Sequence, residues 1–199
     1  MAVPVRRVER TLDRKMTVEE FLRWDSGDDY VWELLDGTPI LKDHDPETGH
    51  AAPSAAHGRL VGTLGARIDA ALARGGRPCA LEIGSGTTLA DGSGSYLVPD
   101  LLVTCGRSVL EADSPVLAVE VLSPSNSTWE RRFKEAAYKA IPTMREVVEV
   151  AQDRLWVSVA RRTADGWAVE VAEGPQARLR LESVGLDLAL EELYRTVPL

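Results

Sequence analysis

Residues 117–125, LAVEVLSPS, decide how the chain folds. Apolar residues flank Glu120 at both odd and even positions, which is the pattern of a strand buried on both faces of a sheet. A carboxylate buried in such a strand costs several kcal/mol unless a proton or a positive charge compensates it. The segment therefore predicts a central strand whose Glu120 has a specific partner.

The segment VPDLL at 98–102 supplies a candidate partner for Glu120. Pro99 favours a strand end, so Asp100 is expected where the sheet opens. If the connection to the next strand folds symmetrically about Leu110, Asp100 lies opposite Glu120, with Cβ atoms about 4.5–5.5 Å apart. Two such carboxylates repel unless they share a proton or a cation, and Mg²⁺ binds to one or two carboxylates plus water and phosphate. The two strands therefore predict a metal site.

A helix over 128–140 is predicted directly after the Glu120 strand. Its apolar residues predict one buried side, and a polar stripe at i, i+4 spacing runs beside it. The apolar side comprises Trp129, Phe133, Ala136, Ala137 and Ala140, and the polar stripe comprises Glu130, Lys134 and Tyr138. Lys134 could lean over the two carboxylates. Spacing alone instead favours a solvated Glu130–Lys134 pair, worth a few tenths of a kcal/mol.

The rest of the chain predicts one α/β domain with a mixed central sheet and flanking helices. Thr17 and Glu20 form a capping-box pattern for a short helix, and Asp36-Gly37 predicts a tight turn between two strands. A second helix is predicted over 54–74, where apolar residues recur at helical spacing. We expect residues 1–199 to form this single domain, with 1–15 as a disordered or arm-like extension.

Composition limits the function classes. The chain has 199 residues, 44% hydrophobic and 27% charged, and no apolar segment approaches the roughly 18 residues of a membrane span. Cys79 and Cys105 are too few for a disulfide framework and form no CxxC pair, so a reducing cytoplasm is the default expectation. The net charge of −8 argues against a protein that binds nucleic acid mainly through overall electrostatic attraction.

Five segments in order resemble one family. The match covers roughly residues 16–138. The chain resembles the Uma-type "putative restriction endonucleases" in the segments YVWELLDGTPI, PSAAHG, VPDLLV, LAVEVLSPSN and FKEAAYK. This resemblance implies a PD-(D/E)XK nuclease fold and a site that hydrolyses phosphodiesters with Mg²⁺ or Mn²⁺. It implies that Asp100, Glu120 and His57 hold the metal, that Lys134 is the catalytic lysine, and that Glu33 and His57 line the cleft.

Taken alone, Glu33 reads as an ordinary strand glutamate and His57 as a packed helix histidine; the resemblance favours site roles for both. The sequence also departs from the family pattern at two places. Leu122 stands where the fold's motif would place a lysine, and the segment EVVEVA at 146–151 lacks the usual aromatic residues and terminal aspartate.

The resemblance predicts a metal-dependent endonuclease that acts on DNA, and two other functions stay open. One is a catalytically degenerate scaffold that binds nucleic acid or protein, and the other is a metal-dependent hydrolase of small phosphate esters. The acidic charge suits either alternative. We expect a homodimer, because nucleases of this fold often pair to cut two strands, and a cytoplasmic protein without membrane contact.

Overall fold

The computed structural model describes residues 14–42, 53–89, 94–106, 114–123 and 128–199. Its helices are α1 (Val18–Leu22), α2 (Ala55–Gly75), α3 (Thr128–Ala140) and α4 (Leu190–Tyr194). Its strands are β1 (Trp32–Leu35), β2 (Thr38–Leu41), β3 (Cys79–Ile83), β4 (Thr87–Thr88), β5 (Tyr96–Leu97), β6 (Leu101–Cys105), β7 (Pro115–Leu122), β8 (Glu146–Ala151), β9 (Trp156–Thr163), β10 (Gly166–Glu173), β11 (Arg178–Leu181) and β12 (Leu186–Ala189).

A six-stranded mixed sheet forms the centre of the fold, in the order β10-β9-β8-β7-β6-β3. All neighbouring pairs are antiparallel except β7 and β8, which are parallel and are joined through α3. Parallel strands require a crossover of this kind, because a hairpin turn reverses the chain direction and so joins only antiparallel strands. The predicted mixed α/β fold, with its central strand at 117–122, is confirmed.

The two faces of this sheet bury different layers, because side chains alternate along each strand. Leu101, Val119 and their counterparts on β8 and β9 pack against α2, α4 and the β11–β12 hairpin. Leu102 and Ala118 point to the opposite face, where they pack with residues of α3 and of a smaller sheet. Asp100 and Glu120 have the parity of this second face.

The smaller sheet has the order β2-β1-β5-β4. Its β1–β2 hairpin turns at Asp36 and Gly37, whose φ angles of 48° and 72° match the predicted tight turn. The pairing of Glu33 with Ile40 follows from this turn. On its outer side the hairpin packs against α1, which begins with the predicted capping box of Thr17 and Glu20.

Helix α2 has the predicted extent. The side chain of Ser54 caps it by accepting a hydrogen bond from His57 N (3.0 Å), and Gly76 ends it with a φ of 56°. This cap places His57 in the first turn, where its side chain is buried.

Cys79 and Cys105 form a disulfide, which the expected reducing environment does not favour. The two residues lie directly opposite each other on β3 and β6. Their spacing along the chain gave no indication of this pairing, which depends on the strand register. The cytoplasmic location expected from the cysteine count stays a prediction.

Within the described ranges, no helix is both long enough and apolar enough to cross a membrane. The proposed arm at residues 1–15 lies almost entirely outside the described residues, as does most of the connection between β6 and β7.

Candidate active site

Asp100 and Glu120 meet on one face of the central sheet. Leu101 pairs with Val119, so the register carries Asp100, just before β6, next to Glu120 on β7. The ammonium nitrogen Nζ of Lys42 contacts both carboxylates, at 2.9 Å from Asp100 Oδ1 and 3.6 Å from Glu120 Oε2. The two carboxylates therefore share a cation, and that cation is a lysine side chain of this chain.

The backbone of β7 fixes the carboxylate of Asp100. Its Oδ2 accepts a hydrogen bond from Val121 N at 2.7 Å, which turns Oδ1 towards Lys42 and towards His57 Nε2, 3.5 Å away. Burial disfavours the ionised form of Asp100, but the His57 hydrogen bond, the Lys42 charge and the Val121 N–H outweigh it. Together they lower the pKa of Asp100 well below its ordinary value, so this carboxylate is ionised at neutral pH.

The carboxylate of Glu120 is fixed by α3. Its Oε1 accepts a hydrogen bond from Tyr138 Oη at 2.7 Å and lies 3.5 Å from Lys134 Nζ. Burial raises the pKa of Glu120 despite the two lysines nearby. Glu120 is therefore the weaker acid of the pair, as expected where two carboxylates lie close together in a buried site.

Lys134 is buried and points into the site, so the solvated pair with Glu130 is not the arrangement found. Its Nζ lies 2.7 Å from Glu33 Oε2. Burial disfavours the ammonium form, but the charges of Glu120 and Glu33 outweigh it and raise the pKa of Lys134 above its ordinary value. Lys134 is therefore a permanent cation at neutral pH.

The predicted buried side of α3 is correct only in part: Ala137 is buried and Phe133 packs against the core, but the helix also buries its polar stripe. The polar stripe of Glu130, Lys134 and Tyr138 is buried, whereas Trp129 is 61% exposed. The stripe faces inward because Lys134 and Tyr138 contact the carboxylates of Glu33 and Glu120. Charge pairing, which a hydrophobic pattern cannot register, determined which side faces inward.

Glu33 joins the two sheets through its carboxylate. The side chain is fully buried, and its Oε1 accepts a hydrogen bond from Val98 N at 2.9 Å while Oε2 pairs with Lys134. Glu33 therefore contacts Lys134 rather than Asp100 or Glu120, and it acts on the carboxylate pair through that lysine. The structure thus brings Glu33, His57, Asp100, Glu120 and Lys134 into one cluster.

Sequence reasoning missed Lys42. A usable signal was present, because the tight turn at Asp36-Gly37 pairs Glu33 with Ile40. Lys42 N then bonds to Val31 O at 2.9 Å, two residues further along both strands. Since side chains two residues apart share a face, Lys42 lies on the same face of the hairpin as Glu33.

Two clefts reach the cluster from different sides. One has a volume of about 250 Å³ and exposes Lys42, His57 and Asp100; its other lining residues are Asp29, Tyr30, Val31 and Pro53. The second is narrower and runs between α3 and the sheet, past Glu120 and Lys134. The larger cleft therefore gives solvent access to Asp100, and the second, of about 20 Å³, admits a water-sized ion to Glu120.

In the parts of the chain that the structure describes, no group of three or more histidine, cysteine or acidic side chains could hold a metal ion. A site for Mg²⁺ does not need three such groups, because water and substrate phosphate complete its shell.

A family model described as "Uma2: Putative restriction endonuclease" matches residues 18–191, most of the chain. The chain belongs to the Uma2 family. The matched range contains every residue of the cluster, including Lys42. Family membership therefore agrees with the resemblance seen in the sequence motifs.

Two known proteins show how far this similarity extends. An uncharacterised protein of Synechocystis sp. is 30% identical over 105 residues, which cover 51% of this chain and 55% of that protein. The match thus spans about half the length of this curated relative. A crystal structure of a putative nuclease belonging to DUF820 from Anabaena variabilis has a TM-score of 0.72 and 20% identity, covering 92% of this chain and 99% of that one. At this identity the structural match establishes a shared Uma2 fold.

Proposed function

We propose that this Uma2 protein is a metal-dependent endonuclease that hydrolyses phosphodiester bonds of DNA. The observation that carries the proposal is the convergence of Asp100 Oδ1 and Glu120 Oε2 on one cation, with the Lys134 ammonium beside them. Nuclease-like function is supported by the family and by the shared fold.

The donor set fits a hard divalent cation. Asp100 and Glu120 would hold Mg²⁺ or Mn²⁺ through carboxylate oxygens, the ligand type that Mg²⁺ prefers, and His57 is the neighbouring nitrogen donor. A divalent cation there would lower the pKa of a bound water and stabilise negative charge on the scissile phosphate. Asp100 suits this role because its lowered pKa keeps it ionised.

Lys134 would act on the phosphate by electrostatics. Its ammonium is held by Glu33 at 2.7 Å and remains protonated, so it can stabilise the additional negative charge of the transition state. Glu33 is then a positioning residue, since it touches Lys134 and not the reacting atoms. Leu122 stands where the fold's motif would place a lysine. Lys134, which reaches the site from α3, would take the role of that lysine.

His57 has two compatible roles. Its Nε2 lies 3.5 Å from Asp100 Oδ1 and borders the larger cleft, where it could join the metal shell or transfer a proton to the leaving oxygen. Both roles require a side chain at this place in the first turn of α2.

The degenerate scaffold is a second candidate, and Lys42 is the observation that favours it. An ammonium between Asp100 and Glu120 compensates the two carboxylates without any metal. A protein that had lost turnover could keep its fold stable in this way. The two candidates differ in whether cleavage of DNA depends on the carboxylate pair.

Purified protein incubated with supercoiled plasmid or single-stranded DNA and Mn²⁺ tests the function. We expect nicking that EDTA abolishes and that Asp100→Asn reduces by several orders of magnitude, because the amide cannot supply the lost charge. Asp187→Asn is the matched control, since Asp187 pairs with Arg178 on the β11–β12 hairpin. Equal nicking by wild type and Asp100→Asn would contradict the proposal. A fluorogenic phosphomonoester tested in parallel distinguishes small-ester hydrolysis from DNA cleavage.

We further propose a single-domain homodimer in the cytoplasm. Two copies would present two sites to the two strands of a duplex. Light scattering tests the assembly, since a monomer has a mass of 21.7 kDa, and a particle of that mass at micromolar concentration would contradict the dimer.

A further inference from the structure

We propose that the Lys42 ammonium occupies the divalent-cation position between Asp100 and Glu120, and that metal binds by displacing it. This inference rests on the proposed metal site and adds a residue that the family motifs do not contain. It makes Lys42 a competitor of the metal, which sets the cation concentration at which the site fills.

The orientation of the carboxylates supports this assignment. Each carboxylate has one oxygen held by the protein and one turned towards Lys42. Asp100 Oδ2 is held by Val121 N and Glu120 Oε1 by Tyr138 Oη, each at 2.7 Å. The remaining oxygens, Oδ1 and Oε2, lie 2.9 Å and 3.6 Å from Lys42 Nζ. The fold therefore directs one oxygen from the start of β6 and one from β7 at a single point, and Lys42 Nζ is at that point.

Formal charges support exchange of the two cations over joint occupancy. Among the described side chains of the cluster, Glu33, Asp100 and Glu120 carry three negative charges, and Lys42 and Lys134 carry two positive charges. Leaving His57 aside, these five side chains have a net formal charge of −1. Replacing the Lys42 ammonium by a divalent cation makes the cluster neutral, whereas keeping both gives +1 in a largely buried site. Uncompensated buried charge is costly, so the metal and Lys42 should exclude each other.

The larger cleft gives Lys42 room to leave. Lys42 borders this space of about 250 Å³, which is also lined by Asp29 and Tyr30. A lysine has a long flexible stem, so its ammonium can move into the cleft while the backbone of β2 stays paired. Asp29 is an exposed residue that lines this cleft, so an acidic partner for the displaced ammonium is available there.

Competition of this kind lowers the apparent affinity for metal. If Lys42 occupies the position in about nine of ten molecules, the apparent affinity falls about tenfold. Removing the ammonium should restore the intrinsic affinity. The inference therefore predicts that a substitution at Lys42 improves metal binding, which is the opposite of the effect expected for a residue that supports the metal.

Calorimetric titration with Mn²⁺ tests the inference without reference to cleavage. We expect Lys42→Met to bind Mn²⁺ about tenfold or more tightly than wild type, and Lys42→Met/Asp100→Asn to lose that gain. Lys139→Met is the matched control, because Lys139 pairs with Glu135 on the outer part of α3. Unchanged or weaker binding by Lys42→Met, including no binding by either protein, would overturn the inference.

A measurement on the wild type covers the case in which Lys42→Met does not fold. Lysine side-chain ammonium groups that are buried in ion pairs give NMR signals of their own, and those of Lys42 and Lys134 can be followed during a Mg²⁺ titration. We expect the Lys42 signal to shift or to exchange with water as the site fills, while the Lys134 signal persists. A Lys42 signal that is unchanged at saturating Mg²⁺ would overturn the inference.

Failure of this inference and failure of the proposed function give different results. If wild type nicks DNA with Mn²⁺ and Lys42→Met gains no affinity, the function stands and Lys42 is not a competitor. If Lys42→Met gains affinity and neither protein cleaves DNA, the competitor stands and the endonuclease proposal fails.

Discussion

Lys134 Nζ lies 2.7 Å from Glu33 Oε2, and neither side chain is more than 8% exposed. This pair joins α3, on the central sheet, to β1 in the smaller sheet. A buried ion pair adds little net stability, but removing one partner leaves a charge without compensation. The candidate site is therefore also a structural connection between the two sheets.

Lys134→Met should reduce both activity and stability. We expect DNA cleavage to fall by orders of magnitude at saturating Mn²⁺, since the lost contact acts mainly in the transition state. The free energy of unfolding should fall by about 3–5 kcal/mol, because Glu33 loses its buried cation. Urea denaturation and a cleavage assay measure the two effects.

Lys139→Met is the control on the same helix. Lys139 pairs with Glu135 at i, i+4, and such pairs contribute only a few tenths of a kcal/mol. The double substitution Lys134→Met/Glu33→Gln should recover part of the stability but none of the cleavage. Normal cleavage by Lys134→Met would remove this lysine from the catalytic mechanism.

The tight turn and the strand register made much of the site predictable. The assumption of a connection symmetric about Leu110 correctly predicted that Asp100 and Glu120 lie close together. Strand register determines which residues are adjacent across a sheet. The same reasoning applied to the hairpin at Asp36-Gly37 would have found Lys42. Without that register, a lysine at the end of an apolar strand has the pattern of an ordinary surface residue.

Other features could not be predicted from local pattern. The disulfide depends on which strand lies beside β3, since Cys79 and Cys105 meet only when β3 pairs with β6. The buried side of α3 depends on carboxylates from β1 and β7, which are far away in the chain. In both cases the deciding contact is between distant segments, and hydrophobic periodicity contains no information about it.

Reduction of the disulfide should lower stability without changing the fold. Cys79 and Cys105 are separated by 26 residues, and closing a loop of that length contributes on the order of 3 kcal/mol through the unfolded state. We expect unfolding at lower urea concentration in the presence of a reducing agent. Cys79→Ser/Cys105→Ser should match the reduced wild type and show no response to reductant. Reaction of native, non-reduced protein with a thiol reagent at either cysteine would contradict the pairing.

Alkaline pH should weaken the fold through Tyr194. Its hydroxyl is held by the carbonyl oxygens of Ala151 (2.6 Å) and Trp156 (2.9 Å), and burial raises its pKa to about 12. Since the folded state holds this proton more tightly than the unfolded chain does, the contribution to stability is complete below pH 10. It is lost as the pH rises from about 10 to about 12.

Tyr194→Phe should reduce the fall in melting temperature between pH 10 and pH 12. Tyr138, whose pKa is also raised, continues to contribute, so the dependence should decrease but not vanish. Tyr30→Phe is the control, because Tyr30 is exposed. A slope identical to that of wild type in Tyr194→Phe would mean that the hydroxyl is not buried in this way.

Tyr138→Phe should change the pH dependence of metal binding. The Tyr138 hydroxyl donates a 2.7 Å hydrogen bond to Glu120 Oε1, and a hydrogen bond to a carboxylate favours its ionised form. Burial already raises the pKa of Glu120, so losing this donor should raise it further. Because Glu120 must be ionised to bind a cation, the midpoint of Mn²⁺ binding should move to higher pH. Stability should fall by about 1–2 kcal/mol. Calorimetric Mn²⁺ titrations between pH 5 and pH 8 measure the shift. Tyr194→Phe is the control, because the Tyr194 hydroxyl bonds to Ala151 O and Trp156 O and not to the site. An unchanged midpoint would show that Tyr138 packs against Glu120 without changing its pKa.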